Sequence, residues 1–351
     1  MIGSPVFSSL VAVLLLLSFV LGCRHLFRHG YWGPRIRSVF RRKTVAVASV
    51  VGGLIFAIAW LDSIAWVTQY PEGESVPLEA SKPMSLLDRG FSMCVGMPFY
   101  EFKEEGYSAP LAKTEFFRKN ELKSLHLLGT TQTGHDTFYK VLKGCRPAVM
   151  IGTIPLLFSV PLAMFAGICG GYFRGRVDDL VVYFYNTLAS IPSLLFLLVL
   201  VSALGQGFTQ IAVGLGLTGW VGLCRLVRGE TLKLREMEYV QAARSLGVSS
   251  WGIITRHIVP NLMHIVLISS ILAFTGLVLS ESILSYLGLG LDNSWGELIN
   301  HARAEMANDP PIAWNLISAS VALFGLVLSI NVIGDGIRDV LDSRLSLEGE
   351  S

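Results

Sequence analysis

Asp62 and Glu281 are the only acidic or basic residues inside seven long apolar windows of the sequence. An ionisable side chain at membrane depth is costly and marks a functional site, such as one that carries a coupling ion or a proton. Asp62, however, lies near the end of its window, and Glu281 lies toward the outer part of its own. We therefore expect both carboxylates to reach water or polar groups of neighbouring helices, and ion coupling is the alternative.

The sequence has none of the residue spacings that build a hydrolytic, metal or ATP site. It contains no His-Glu-x-x-His, no Gly-x-Ser-x-Gly and no Gly-x-x-x-x-Gly-Lys-Ser/Thr phosphate loop. Its five Cys form no Cys-x-x-Cys pair, and its seven His lack metal-ligand spacing. We predict no catalytic residue, no metal and no cofactor. Cys94 and Cys145 share one outer segment, where an oxidising compartment would permit a disulfide, and the sequence leaves this pairing open.

The elements that carry these residues are predicted to be membrane-spanning helices. Of the 351 residues, 52% are hydrophobic and 15% are charged, against roughly 25% charged residues in soluble domains. A stretch of about 20 apolar residues crosses a bilayer core of about 30 Å as a helix. We predict an all-α polytopic membrane protein. Its apolar windows are 5–22, 44–67, 147–173, 180–204, 208–224, 262–290 and 312–333.

The basic residues predict the orientation of these spans. If residues 23–43 are cytoplasmic, the cytoplasmic stretches hold 17 Lys and Arg, whereas the short outer stretches hold one, Arg303. Ten more lie in residues 68–146, a segment too long to follow the positive-inside rule. We therefore place the C-terminus in the cytoplasm and residues 68–146 outside. The first window has no basic residue before it, so we interpret it as a retained helix; the alternative is a signal or lipoprotein-type segment ending at Cys23.

The chain divides into four predicted regions. Residues 1–69 hold the N-terminal helices and a basic inner loop, and residues 70–145 form an external region. Residues 146–345 form the core, followed by a short tail at 346–351. Within the external region, residues 136–142 look amphipathic and are expected to lie on the membrane surface. The core contains one extended cytoplasmic loop, 229–260, which is the most informative segment of the chain.

This loop has the pattern of two short helices separated by a glycine bend. Residues 238–246 predict a helix that is closed by Gly247 in a left-handed cap. Ser249 or Ser250 can cap the second helix, because a serine oxygen can accept a hydrogen bond from a free amide of the first turn. The small side chains of Ala242 and Ala243 would allow the groove of another protein to approach closely.

The second helix is predicted over residues 251–258. Trp251, Ile254 and Ile258 fall on one face at spacings of three and four, and this apolar face can rest on the membrane domain. Pro260 suits the first turn of the following span, where its missing N–H removes no hydrogen bond. We therefore interpret the loop as a compact cytoplasmic projection; a docking element and a merely folded loop are both compatible with its spacing.

These residues resemble the cytoplasmic signature of the permease subunits of binding-protein-dependent ABC importers. That signature is Glu-Ala-Ala, three residues, Gly, nine residues, and Ile-x-Leu-Pro. Here Gln241-Ala242-Ala243 is followed at the same spacings by Gly247 and by His257-Ile258-Val259-Pro260. Gln241, His257 and Val259 depart from the signature. Gln241 keeps the size and hydrogen-bonding reach of a glutamate but loses its charge, and with it any salt bridge at that point.

Further segments resemble the peptide-type branch of this family, which includes oligopeptide, dipeptide and nickel importers. The similarity covers residues 125–345. It lies in the motifs at 128–136 (Leu-Gly-Thr-Thr-Gln-Thr-Gly-His-Asp), 170–178 (Gly-Gly-Tyr-Phe-Arg-Gly-Arg-Val-Asp), 281–290 with 294–296, and 331–345. Thr131 and His135 depart from the first motif. The proline-rich insert that usually follows the motif at 281–290 is missing.

The resemblance implies the transmembrane domain of a type I ABC importer, with six core helices or seven with the extra N-terminal one. It implies a second homologous permease, two cytoplasmic ATPase subunits, an external solute-binding protein and surrounding lipid, with no nucleic acid. The chain would reside in the bacterial inner membrane and hydrolyse no ATP itself. Oligopeptides or dipeptides are the expected solutes; nickel, another small solute or an ion-coupled transporter are the alternatives. The implied coupling residues are Gln241, Ala242, Ala243, Gly247 and Pro260.

Overall fold

The structure, a computed structural model, describes residues 39–66, 84–95, 104, 106–117 and 121–342. The first apolar window and Cys23 lie outside this range. A two-stranded antiparallel ribbon pairs β1 (Ala65–Trp66) with β2 (Met84–Ser85). The helices are α1 (Lys43–Ser63), α2 (Leu86–Val95), α3 (Thr137–Phe173), α4 (Arg176–Ala189), α5 (Ser193–Leu204), α6 (Phe208–Arg235), α7 (Glu238–Ser245), α8 (Ser250–Ile253), α9 (Val259–Tyr286), α10 (Trp295–Glu305) and α11 (Trp314–Asp342).

The described helices confirm a polytopic α-helical protein. Helices α1, α3, α6, α9 and α11 are each long and apolar enough to cross a membrane, α9 together with the turns that precede it. Helices α4 and α5 pass the same test as a pair, although they meet at a bend of 79°. The described residues therefore supply up to six spans. This number agrees with the six core helices that were predicted.

Residues 180–204, one of the predicted spanning windows, form parts of two helices that meet at a bend and not one continuous helix. Helix α4 ends at Ala189, and α5 begins after Pro192. Proline lacks an N–H and disfavours helical backbone at the residue before it, here Ile191, so the helix stops there. Pro161, by contrast, lies inside the unbroken α3. Of these two prolines within apolar windows, only Pro192 interrupts a helix.

Helix α3 begins earlier than its apolar window predicts. Residues 137–142, which were expected to lie separately on the membrane surface, form the first turns of this 37-residue helix. Asp136 starts the helix, because its Oδ1 accepts a hydrogen bond from the Tyr139 amide at 2.8 Å. Helix α6 likewise continues past its window, to Arg235. Both helices thus extend beyond the apolar stretch that identified them.

The chain forms two compact units, Met1–Val149 with Ser285–Ile333, and Met150–Leu284 with Gly334–Ser351. The four regions predicted from the sequence remain a prediction. Within the described part of the first unit, Gly52 of α1 faces Ser329 of α11, with 3.5 Å between an added Cβ and the serine Cβ. Trp295 of α10 donates from Nε1 to the Val141 carbonyl of α3 at 2.8 Å. These contacts join the first unit across elements distant in sequence.

A buried ionic cluster fixes the ribbon and α2 to the two neighbouring spans. Lys143 Nζ of α3 lies 2.6 Å from Asp62 Oδ1 of α1 and 2.6 Å from Asp88 Oδ1 of α2. The Ser85 hydroxyl donates to Asp62 at 2.7 Å, and the Tyr139 hydroxyl donates to Asp88 at 2.8 Å. Both carboxylates are buried. Asp62 therefore contacts neighbouring side chains and does not reach water; Glu281 of α9 is also buried.

The segment 128–136 folds as a tight outer turn that depends on two glycines. Gly129 and Gly134 have φ of +75° and +76°. A Cβ at Gly134 would collide with the carbonyl oxygen of Glu104, and one at Gly129 would collide with that of Ser108. Between them, the Thr130 hydroxyl accepts from the Ser108 amide at 2.6 Å and donates to a carbonyl at 2.9 Å. The motif thus requires glycine for both its backbone conformation and its close contacts.

The imidazole of His126 lies between two carboxylates at this turn. His126 Nδ1 lies 2.7 Å from Asp136 Oδ2, and its Nε2 lies 3.2 Å from Glu104 Oε1. All three side chains are buried. Burial alone would lower the pKa of His126, but hydrogen bonds with Asp136 and Glu104 outweigh it, and the pKa is raised. The protonated ring therefore stabilises this fold of the outer segment.

The two cysteines of the outer segment are not bonded to each other. Cys94 of α2 is exposed, whereas Cys145 of α3 is buried, and both are free thiols. The Cys145 thiol donates to the Val141 carbonyl of its own helix at 3.8 Å. The disulfide that the sequence left open is therefore absent from the structure.

Replacement of the central ammonium should destabilise the first unit strongly. Lys143→Met leaves two buried carboxylates without their cation, and loss of one member of a buried ion pair costs about 3–5 kcal/mol. We expect a free energy of unfolding in detergent that is lower by this amount. The matched control is Lys140→Met on the same helix, since the Lys140 hydrogen bond to Asn293 is exposed. Equal effects of the two variants would contradict the assignment.

The stability of the outer segment should fall as the pH rises. Because the pKa of folded His126 is raised, its contribution is complete below the unfolded pKa of about 6.5 and is lost as pH rises through the folded pKa. We expect the melting temperature to decrease as the pH rises above about 6.5, and to decrease less in His126→Gln. His301→Gln is the control, because this side chain is 64% exposed. An unchanged slope in His126→Gln would contradict the prediction.

Candidate functional site

The loop at residues 229–260, in the second unit, contains the glycine-capped helix that the sequence predicts. Helix α7 ends at Ser245, and Gly247 has φ of +82°. The Gly247 amide donates to the Arg244 carbonyl at 3.0 Å, and the Val248 amide donates to the Ala243 carbonyl at 3.1 Å. These two bonds define a Schellman motif. No atom lies within 4 Å of a Cβ placed on Gly247, so the backbone conformation, not space, favours glycine.

Ser249 begins the next helix, which decides between the two candidate serines. Its hydroxyl accepts from the Gly252 amide at 3.2 Å. Helix α8 then passes directly into a π-helical turn, Ile254–Ile258, and on into α9. Residues 251–258 are helical as predicted, but they do not end as a separate short helix, because the backbone continues through the π turn into α9. This part of the loop and the span share one continuous helical segment.

Pro260 was predicted in the first turn of the following span. It is the second residue of α9, but the π turn runs into α9 without a break, so Pro260 does not lie at a free helix end. The Val259 amide donates to the Ile254 carbonyl, five residues earlier. A proline ring in a regular helix presses on the carbonyl of the preceding turn. The wider π turn directly before Pro260 opens the helix at this point, as π turns do where a helix is interrupted.

The apolar face of the loop packs on the ends of the spans. Helix α7 contributes Val240 and Ala243 to a buried cluster. The other members are Ile168, Tyr172, Val227, Ile253, Ile254, Ile258, Leu262 and Val266. Trp251 was predicted to share this face, but it is 68% exposed. Ile253 occupies the buried position in its place, because the face shifts where the α-helical turn gives way to the π turn.

The structure separates the five predicted coupling residues into two groups. Gln241, Ala242, Gly247 and Pro260 are exposed on the loop, whereas Ala243 is buried and supports it from inside. The Gln241 amide donates to the Glu236 carbonyl at 3.0 Å. An ionised glutamate could not donate this bond, so the departure from the signature substitutes a local hydrogen bond for a surface charge.

Two exposed apolar side chains beside the glycine were not predicted as site residues. Leu246 immediately precedes Gly247 and is 84% exposed, and Trp251 follows four residues later. Exposed aromatic and aliphatic side chains placed close together are typical of the anchors of protein interfaces. A leucine at the cap position and a tryptophan in a polar loop are the signals that could have identified them.

The loop is attached to spans that approach each other very closely. A Cβ on Gly167 of α3 would lie 2.9 Å from the Cys224 carbonyl oxygen of α6. A Cβ on Gly171 would lie 2.7 Å from Thr231 Cβ and 2.9 Å from the Arg228 carbonyl oxygen. Small residues four apart allow helix backbones to pack directly in membranes. Gly167 and Gly171, the second of which belongs to the 170–178 motif, thus set the distance between α3 and α6.

The rest of that motif forms the turn between α3 and α4. Arg174 and Gly175 have φ of +56° and +57°, which reverses the chain direction in two residues. Asp178, in the first turn of α4, accepts hydrogen bonds from Nε and Nη2 of Arg228 on α6. This two-pronged contact is the strongest arrangement of arginine and carboxylate. The turn therefore holds α4 against α6 at the end that carries the loop.

The described residues contain no group of His, Cys, Asp or Glu arranged to hold a metal ion. The features that the site does offer are a glycine-capped helix, an exposed apolar pair and a rigid attachment to spans. These are the properties of a docking surface.

Comparisons with known proteins find relatives among transport permeases. The oligopeptide transport system permease protein OppC of Haemophilus influenzae is 36% identical over 226 residues, which are 64% of this chain and 72% of that protein. The glutathione transport system permease protein GsiD of Pectobacterium atrosepticum is 32% identical over 230 residues, 63% of this chain and 74% of its own. A chain of the inward-facing MetNI methionine ABC transporter superposes with a TM-score of 0.46 at 18% identity, covering 57% of this chain and 94% of that one.

The family match covers the part of the chain that carries the loop and its spans. Residues 159–347 match the family described as the binding-protein-dependent transport system inner membrane component. This stretch includes the capped helix, the π turn and the α3–α4 turn described above. The chain therefore belongs to the family of inner membrane permease components of binding-protein-dependent ABC importers.

Proposed function

We propose that this chain forms the solute pathway of a peptide importer together with a second homologous permease. The similarity to permeases named for oligopeptide and glutathione transport supports a peptide as the solute. An external solute-binding protein would deliver the peptide, and two ATPase subunits would bind at the cytoplasmic side. The distribution of Lys and Arg supports a cytoplasmic C-terminus and an external segment at residues 68–146.

The observation that carries the proposal is the exposed, glycine-capped end of α7. Gly247 and Leu246 project from a loop whose inner face is buried on the spans. An ATPase groove can therefore contact the outer face without disturbing the packing below it. Gln241, Ala242 and Pro260 lie on the same loop and would line the contact, and Ala243 would hold α7 in position from within.

An ion-coupled transporter remains the second class of function that the sequence raised, and the structure gives it no support at Asp62. The Asp62 carboxylate is paired with Lys143 and accepts from Ser85. A coupling-ion ligand has to exchange its partner during transport, whereas this carboxylate is one part of a buried cluster that joins four elements, α1, β2, α2 and α3. Nickel is an alternative solute that an uptake measurement separates from peptides.

A matched pair of substitutions at Gly247 should distinguish the effect of an added charge from the effect of a changed backbone conformation. Asn and Asp have nearly the same shape, and both tolerate a left-handed backbone better than other residues with a side chain. In proteoliposomes that contain the complete transporter, Gly247→Asp should abolish ATP-driven uptake of a labelled peptide, whereas Gly247→Asn should retain most of it. The charge would be buried without a partner against the ATPase.

Equal uptake by wild type and both variants, with ATPase subunits still bound, would overturn the coupling role of Gly247. Uptake that follows an ion gradient without ATP would overturn the proposed function itself. Uptake of nickel and not of peptides would overturn the proposed solute while leaving the coupling role intact.

The two exposed apolar side chains should anchor the ATPase. Leu246→Gln and Trp251→Gln remove the apolar contact without changing buried residues, and an interface anchor is worth about 2 kcal/mol or more, or about 30-fold in affinity. We expect about 30-fold weaker binding of the ATPase subunits to the purified permease pair for each variant. Met306→Gln is the control, since this exposed methionine lies far along the chain, after α10. Unchanged affinity in both loop variants would exclude them as anchors.

A further inference from the structure

One residue of α3 is contacted by the last residue of α6 through its backbone and by α7 through its side chain. Tyr172, next to last in α3, is buried in the cluster that includes Val240 and Ala243 of α7. The Arg235 guanidinium at the end of α6 donates from Nη1 to the Tyr172 carbonyl at 2.8 Å. The Arg244 guanidinium of α7 lies over the Tyr172 ring, with Cζ 5.5 Å from the ring centroid.

This arrangement joins α7 to α3 through the ring of Tyr172. The contact is of the cation–π type, in which a guanidinium is attracted to the face of an aromatic ring. Arg244 also supplies the carbonyl that accepts the Gly247 amide, so the same residue takes part in the Schellman motif and in the ring contact. A displacement of the capped end of α7 is therefore applied directly to the end of α3.

The end of α3 has no free space in which it could absorb such a displacement by moving alone. Gly167 and Gly171 bring its backbone against α6 at a distance that leaves no room for a Cβ. The Arg235 bond fixes the carbonyl of Tyr172 to the last residue of α6. Packed elements without free space transmit a displacement and do not absorb it. The last turns of α3 and α6 thus respond together with α7.

We propose that Tyr172 and Arg244 are positioning residues that pass the movement of the ATPase subunits from α7 to α3. This inference rests on the proposed function, because it requires that α7 be the element that the ATPase moves. Neither residue contacts the ATPase in this proposal. Their removal would leave docking intact, but ATP would be hydrolysed with little movement of the span.

The neighbouring surface ion pair supplies a control at the same corner of the molecule. Arg174 Nη2 lies 3.0 Å from Glu236 Oε1, but the two side chains are 49% and 54% exposed. Exposed pairs of this kind contribute little to stability or to the transmission of movement. Arg174→Gln should therefore leave transport unchanged, although it removes a cation only two residues after Tyr172.

The test measures peptide uptake and ATP hydrolysis of the complete transporter in proteoliposomes. Arg244→Gln and Tyr172→Leu should keep the ATPase subunits bound and ATP hydrolysis near that of the wild type. The peptide transported per ATP should fall about tenfold, within the range typical of coupling between two sites. Tyr172→Phe, which keeps the ring, should transport normally. The double variant Tyr172→Leu with Arg244→Gln should be no worse than the poorer single variant, because both remove one contact.

A proportional loss of uptake and hydrolysis in the single variants, together with a lower melting temperature, would show a purely structural role and overturn the proposal. An unchanged ratio of uptake to hydrolysis would overturn it as well. Failure of the underlying function is distinguishable, since the wild-type complex would then lack ATP-driven uptake or bound ATPase subunits altogether.

Discussion

The close contact between α3 and α6 is the constraint on which the rest of the second unit depends. Gly167 and Gly171 allow the two backbones to meet with no side chain between them. In lipid, apolar side chains gain little by leaving their surroundings for one another, so direct packing of this kind is a main source of helix association. Because both helices end at the same level, they provide one rigid base. The buried face of α7 and the π turn rest on that base.

The sequence was sufficient for the features that depend on local chemistry. The apolar windows located the spans because chain length and hydropathy alone determine whether a helix can cross a bilayer. Gly247 identified its own left-handed cap because few other residues adopt that backbone conformation at low cost. The spacing from Gln241 to Pro260 located the capped helix and the helical turns that follow it, although three signature positions differ.

Features that depend on contacts between distant residues could not be predicted. Pro161 and Pro192 give the same local signal, yet only the second interrupts a helix, since the outcome depends on how each helix is supported by its neighbours. Trp251 fits an apolar face at helical spacing, but the π turn shifts that face. The partner of Asp62 is Lys143, 81 residues away. The sequence could therefore predict that Asp62 meets polar groups of neighbouring helices, with ion coupling as the alternative, but it could not identify the partner.

The exposure of Leu246 and Trp251 has a consequence for assembly in the cell. A permease that has been inserted but not yet joined by its partners presents both apolar side chains to water on the side where its loop projects. Such surfaces attract chaperones and other unfolded chains until they are covered. Through the same two residues that would hold the ATPase, chaperones would therefore recognise an unassembled subunit. The lifetime of each copy would then depend on the supply of its partner.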